Sequence, residues 1–138
     1  MTTVSTDFAS PRSSELAAAL LRVTTGGLFV THGLIKAILF TFAGTAGYFE
    51  SIGLPGFLGY VTIIVEVLGG LALLAGFRTR LVSLAMIPVL LGAAYFGHGG
   101  NGFMFSNPNG GWEYPVFWAI VMGVQSLLGA GAWSVDNR

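Results

Sequence analysis

Cysteine is absent from this chain of 138 residues, and charge is scarce: six basic and six acidic side chains, 9% of the total, with no net charge. Without cysteine there is no thiol shuttle, no iron–sulfur cluster and no thiolate-bound zinc. A neutral balance argues against a nucleic-acid partner. Soluble globular chains carry about 25% charged residues, so too few remain here to solvate a small globule. The amino terminus also lacks the basic start, short apolar core and small-residue cleavage site of a secretory signal.

What is present is apolar. Hydrophobic residues make up 54% of the chain, and residues 57–76 form an unbroken apolar run with one charged side chain, Glu66, near its centre. A run of about 20 residues matches the roughly 30 Å hydrocarbon core of a bilayer at about 1.5 Å per residue. Similar stretches at 16–38, 81–96 and 115–132 predict three more spans. The fold expected is all-α: a transmembrane four-helix bundle in contact with lipid.

The organisation follows from punctuation. Residues 1–14 read as a polar tail, with Ser13 or Ser14 capping the first helix and Glu15 in its first turn. The membrane domain covers 15–133, and 134–138 form a short tail. A short helix around 46–52 interrupts the first long connection. Pro88 should kink the third span, and Pro115 suits the first turn of the fourth. Arg12, Arg78, Arg80 and Arg138 fall on one side, against Lys36 on the other, so both termini should face the cytoplasm. A Glu before a Pro in each long connection (Glu50/Pro55, Glu113/Pro115) hints at two repeated hairpins.

Several polar groups need an explanation. A carboxylate at mid-bilayer costs roughly 2.5–3.5 kcal/mol even on lenient insertion scales, so Glu66 requires a partner or a function. In the first span Arg22, Thr25, Phe29, His32 and Lys36 recur every three or four residues and share a helical face. In the second, Gly59, Thr62, Glu66, Gly69 and Gly70 form a small-residue face, and the two faces should pack together. Arg22 lies about 9 Å and Glu66 about 15 Å from the cytoplasmic end by helical rise, which makes Arg22–Glu66 a candidate intramembrane pair. The pair could serve structure alone, and Arg22 could instead snorkel to the interface.

A second group gathers at the other end: His32, Lys36, His98, Glu113, Trp112 and Tyr114. Such a set could bind an oxyanion or take protons from a reduced quinone; equally, it could satisfy loop carbonyls and amides. Aromatic residues belong at that depth whatever the function. His32 and His98 could ligate a haem, or with Glu113 a metal, but two isolated histidines lack a supporting pattern, and no metal site is assigned. Gln125, midway along the fourth span, suits an interhelical hydrogen bond.

The chain resembles the DoxX family of small four-helix membrane proteins. The matching positions are Arg22, Gly26, Phe29, Gly33 and Lys36, then Glu66, Gly69, Gly70, Leu73, Leu74, Gly76 and Arg80. They continue with His98, Gly102, Phe103, the Gly110-to-Pro115 stretch, Gly129, Gly131, Ser134 and Asp136. The resemblance implies a multi-pass protein of the bacterial cytoplasmic (inner) membrane. It also implies a neighbourhood that includes DoxD-type subunits of a thiosulfate:quinone oxidoreductase and, more distantly, membrane chaperones without redox chemistry.

Three functional readings follow. The first is a redox-associated protein that binds a quinone-like lipophilic molecule between its helices, as a membrane subunit of a quinone-linked oxidoreductase would. No dinucleotide fingerprint or thiol is present, so electrons would come from a redox partner or from substrate. The second is a non-enzymatic membrane partner or assembly factor. The third is a small-molecule permease, which four short helices could form only as a homodimer.

Overall fold

A computed structural model describes residues 11–137. Among these the regular structure is helical, without strands. Helix α1 (Pro11–Leu34) runs into a π-helical turn (Ile35–Leu39), followed by the short α2 (Phe42–Ser51) and by α3 (Phe57–Ala75). Helix α4 (Thr79–Gly92) likewise runs into a π-helical turn (Ala93–Gly97) and a glycine-rich loop, and α5 (Glu113–Leu128) follows. Three stretches are long and apolar enough to cross a bilayer: Arg12–Leu39, Phe57–Ala75 and Thr79–Gly97. Their outer surface is apolar, with Leu20 70%, Leu68 61% and Leu81 59% exposed, a surface that only lipid covers without penalty. The protein is therefore a multi-helix membrane protein.

Three boundaries differ from expectation. Helix α1 already includes Ser13 and Ser14, so neither caps it and Glu15 lies beyond its first turn; the preceding ten residues, and Arg138, lie outside the described residues. Helix α4 begins at Thr79. Helix α5 stops at Leu128, short of the expected residue 132, because Gly129 and Gly131 take φ of +80° and +72°. Its 16 residues rise about 24 Å.

The helices form two antiparallel hairpins, α1 on α3 and α4 on α5, which meet through α3 against α4 and more sparingly through α1 against α5. The expected packing of α1 on α3 through small residues holds at Gly26 and Gly70, where a Cβ on Gly70 would stand 2.7 Å from the Gly26 carbonyl oxygen and one on Gly26 2.9 Å from that of Gly70, but Gly69 faces Met86 of α4 and Gly59 faces Ala46 of α2. Between the hairpins lies the core of Phe29, Leu73, Met86, Leu90, Trp118, Ala119 and Met122.

The two hairpins repeat one design. In each, a long helix ends in a π-helical turn and the returning helix is closed by a glycine of positive φ, Gly76 (+72°) or Gly129 (+80°). An arginine of the first helix caps the last carbonyls of the second. Arg22 donates to Leu73 and Leu74, and Arg80 donates to Ser126 and Leu127. Arg22 and Arg80 are as far apart in sequence as Ile35 and Ala93, where the π-helical turns begin, and as far as Thr25 and Ser83. Those last two residues flank Gln125, whose oxygen accepts from Thr25 (2.7 Å) and whose nitrogen donates to Ser83 (3.0 Å). The interhelical role expected of Gln125 is thus met at the junction of the hairpins.

The arginine-rich end also gathers the carboxyl-terminal segment. The Ala132 amide donates to the Glu15 carbonyl, and the Asp136 amide to that of Gly76. Both carboxylate oxygens of Asp136 accept backbone N–H groups, from Arg78 (2.7 Å) and Thr79 (2.9 Å), at the start of α4. Partial burial pushes the Asp136 carboxyl upward. The amides of Thr79 and Arg78, with the charge of Arg22, outweigh that and hold it below its ordinary value.

Candidate functional site

The charged residues of the first hairpin do not pair as the helical depths suggested. Arg22 is 1% exposed. Its guanidinium donates to the carbonyls of Ala130 (2.9 Å), Leu73 (2.9 Å), Leu74 (2.8 Å), Ala132 (2.9 Å) and Trp133 (3.1 Å). A guanidinium has five N–H donors, so none is left for Glu66, and Arg22 does not snorkel. The break in α5 at Gly129 and Gly131 takes the Ala130, Ala132 and Trp133 carbonyls out of the helix, the Leu73 and Leu74 carbonyls end α3, and Arg22 bonds both sets.

Glu66 instead pairs with Lys36. The Lys36 ammonium lies 3.0 Å from each Glu66 oxygen, with the carboxylate side chain 8% exposed and the lysine side chain 26%. Two backbone features set this geometry. Lys36 sits in the π-helical turn, a form that recurs at functional sites, and its carbonyl accepts from the Thr45 hydroxyl of α2 (3.0 Å). Three residues earlier, Gly33 lets α3 pass closely: a Cβ there would meet Val67 at 2.6 Å and the Glu66 Cβ at 3.2 Å.

Beside the ion pair stands an aromatic cluster. Phe29 stacks on Trp118 with ring centroids 4.4 Å apart, His32 approaches Trp118 at 5.1 Å, and Tyr114 at 5.7 Å. His32 Nδ1 lies 2.8 Å from the Leu28 carbonyl. A carbonyl only accepts, so Nδ1 carries the hydrogen and Nε2 of the neutral ring keeps its lone pair.

The other expected rim residues have different tasks. His98 Nδ1 donates to the Gly110 carbonyl (2.9 Å), which Asn101 also reaches (3.0 Å); these side chains hold the glycine-rich loop. Trp112 packs edge-on against Phe103, and Tyr114 against Phe105. The Glu113 amide donates to the Phe103 carbonyl (3.1 Å). His32, Lys36, Tyr114 and Glu66 therefore form one neighbourhood, and His98 with Trp112 belongs to the loop. Among the described residues no group of three or more His, Cys, Asp or Glu side chains is placed to hold a metal.

Trp118 is not among the candidate residues drawn from the sequence, yet it stands at the centre of the cluster; Tyr114 meets it from the same helix, but Phe29 and His32 come from α1, and nothing local to it announces them. A cavity of about 650 Å³ opens beside α4 and α5, lined by Ile52, Leu91, Tyr95, Phe96 and Trp112 among others. It reaches Trp112 of the expected rim. A second cavity, of about 580 Å³, lies at the arginine-rich end between Glu15, Arg78, Arg80, Gly129 and Asp136.

Known proteins place the chain. It is 42% identical over 82 residues to a Bacillus subtilis protein named "Putative oxidoreductase CatD", a match that spans 59% of this chain and 60% of that one. The inner membrane protein YqjF of Escherichia coli is 31% identical over 128 residues, 89% of this chain and 92% of its own. An uncharacterised Haemophilus influenzae protein is 28% identical over 121 residues, 87% of this chain and 88% of its own. No solved structure matches at a significant level. The DoxX family model matches residues 17–99, more than half of the sequence, and the protein belongs to the DoxX family.

Proposed function

We propose that this protein is a redox-associated unit of the bacterial inner membrane, and that it binds a quinone-like lipophilic molecule between its helices beside Lys36, Glu66 and His32. All four long helices span, with both termini cytoplasmic; residues 15–133 make up the membrane domain. The arginine-rich end then faces the cytoplasm, and the end bearing Lys36 and the aromatic cluster faces outward.

One observation carries this reading. The second hairpin repeats the first but has Ala94 and Ala119, both buried, at the places of Lys36 and Glu66. The architecture forms without a charged pair, and burying one is costly. A pair retained in one hairpin and absent from its counterpart points to a task beyond folding. His32, whose Nε2 has no hydrogen-bond donor among the described residues, and the stacked Phe29 and Trp118 supply a proton acceptor and an aromatic wall next to it. An oxidoreductase name on the CatD relative is in keeping with this. Electrons are exchanged with a partner, since the chain carries no thiol and no dinucleotide fingerprint.

Gentle detergent extraction followed by mass spectrometry should find quinone on the wild-type protein and little on a Lys36→Met/Glu66→Met double variant of equal stability. Folded, quinone-free wild type would overturn the reading. A second reading, a non-enzymatic membrane partner, draws on His98 and Arg22, whose donors serve loop and chain-end carbonyls. Co-purification of a stoichiometric partner from quinone-free membranes would favour it.

A further inference from the structure

The Trp118 indole leaves a question that the ion pair does not answer. Trp118 is 7% exposed, and its Nε1–H is buried without a hydrogen-bond partner among the described residues. A buried donor left unmade costs about 1–3 kcal/mol. Its core neighbours, Phe29 among them, are apolar, and the rings of His32 and Tyr114 also approach it. On His32 the Nδ1–H is taken by Leu28, and Nε2, which is not buried, has no donor among the described residues. One group therefore lacks an acceptor and its neighbour lacks a donor, on facing helices of different hairpins.

A single hydroxyl oxygen answers both. It can accept from Trp118 Nε1–H and donate to His32 Nε2, whereas a carbonyl oxygen can only accept and would face the lone pair of Nε2. We infer that Trp118 and His32 together recognise an aromatic hydroxyl, so that the site favours the reduced, quinol-type form of its ligand over the quinone. This rests on the ligand class proposed above and makes it specific. Phe29, 1% exposed and stacked on Trp118, fixes the plane of the indole. Tyr114, the most exposed ring of the cluster at 36% and in contact with Trp118, is the ring whose turning would admit a ligand.

Three probes of one shape separate the roles: 1-naphthol, which donates and accepts; 1-methoxynaphthalene, which only accepts; and naphthalene, which does neither. Binding to the full-length protein in detergent is measured by titration calorimetry. Trp118→Phe keeps a ring and removes the donor, so it should weaken naphthol and methoxynaphthalene by roughly tenfold, the value of one hydrogen bond, and naphthalene by less than twofold. His32→Leu should weaken naphthol by roughly tenfold and spare methoxynaphthalene. In a Trp112→Phe/Trp133→Phe background, where Trp118 is the sole indole, its N–H vibration should shift when naphthol is added. That measurement keeps the native residue and stands even if Trp118→Phe fails to fold. Naphthol affinity unchanged in Trp118→Phe, or an unshifted N–H band at saturation, would overturn the assignment and leave the ligand class intact. No saturable binding of any probe or short-chain quinone to wild type would overturn the ligand class itself.

Discussion

Arg22 Nη1 lies 2.9 Å from the carbonyl oxygen of Leu73, and through this contact and its four companions the first helix closes the ends of both returning helices. Arg22→Lys offers three donors where five carbonyls wait. It should lower stability by about 3 kcal/mol, and Arg22→Ala by more, because buried carbonyls would be left unpaired. Arg80→Lys, at the exposed counterpart, should cost less than about 1 kcal/mol. Thermal melts in detergent compare the three.

The Lys36–Glu66 pair should behave as a pair. Removing the ammonium alone with Lys36→Met strands a buried carboxylate and should destabilise by about 3–5 kcal/mol. The Lys36→Met/Glu66→Met variant should recover most of that loss. A double variant no better than the single one would show that the two residues are not coupled.

Close approach of α1 and α3 depends on Gly26 and Gly70. Gly70→Ala places a Cβ 2.7 Å from backbone oxygen and should cost about 1–3 kcal/mol. Gly27→Ala meets nothing within 4 Å and should be neutral or slightly stabilising. The contrast between these two glycine variants in one melting series is the check.

Acid should act through Asp136. Its pKa is lowered in the folded state, so its contribution is complete above the unfolded carboxyl value of about 3.9 and fades as pH falls through the lower folded value. Wild type should lose a stability increment on acidification below about pH 4 that Asp136→Asn, already lacking it, does not. Melting temperatures from pH 3 to 6 in one detergent decide this.

Orientation can be read chemically because the chain has no cysteine. Single cysteines at Arg78 and at Asn107 should label from opposite sides of the membrane, with the Arg78 position accessible only from the cytoplasm. Labelling of both from one side would end the four-span arrangement.

Hydropathy made the helices legible, since burial in lipid is a property of each segment by itself. The α1–α3 contact was legible too, because small residues recur at helical spacing on both. The partner of Glu66 was not. Depth along an ideal helix favoured Arg22, but the carbonyls that claim Arg22 come from Ala130 and Ala132, freed by a break in α5 over a hundred positions away. Lys36 was on the correct stripe, but the π-helical turn that aims it leaves no signature in residue type. Asp136 appeared among the matching positions without a role, since the amides it caps lie 57 and 58 residues before it. The repeat showed only as two Glu–Pro hints; its clearer marks, Arg22 with Arg80 and Thr25 with Ser83, are recognisable once their hydrogen bonds are seen.

The early end of α5 reaches beyond the protein. Its helical part rises about 24 Å, several ångströms less than an average hydrocarbon layer. In the four-span arrangement proposed above, lipids alongside Ile120, Val124 and Leu127 must shorten to meet it. That shortening leaves a dimple in the surrounding sheet of lipid. Companion proteins with equally short segments would gather there without any dedicated docking surface.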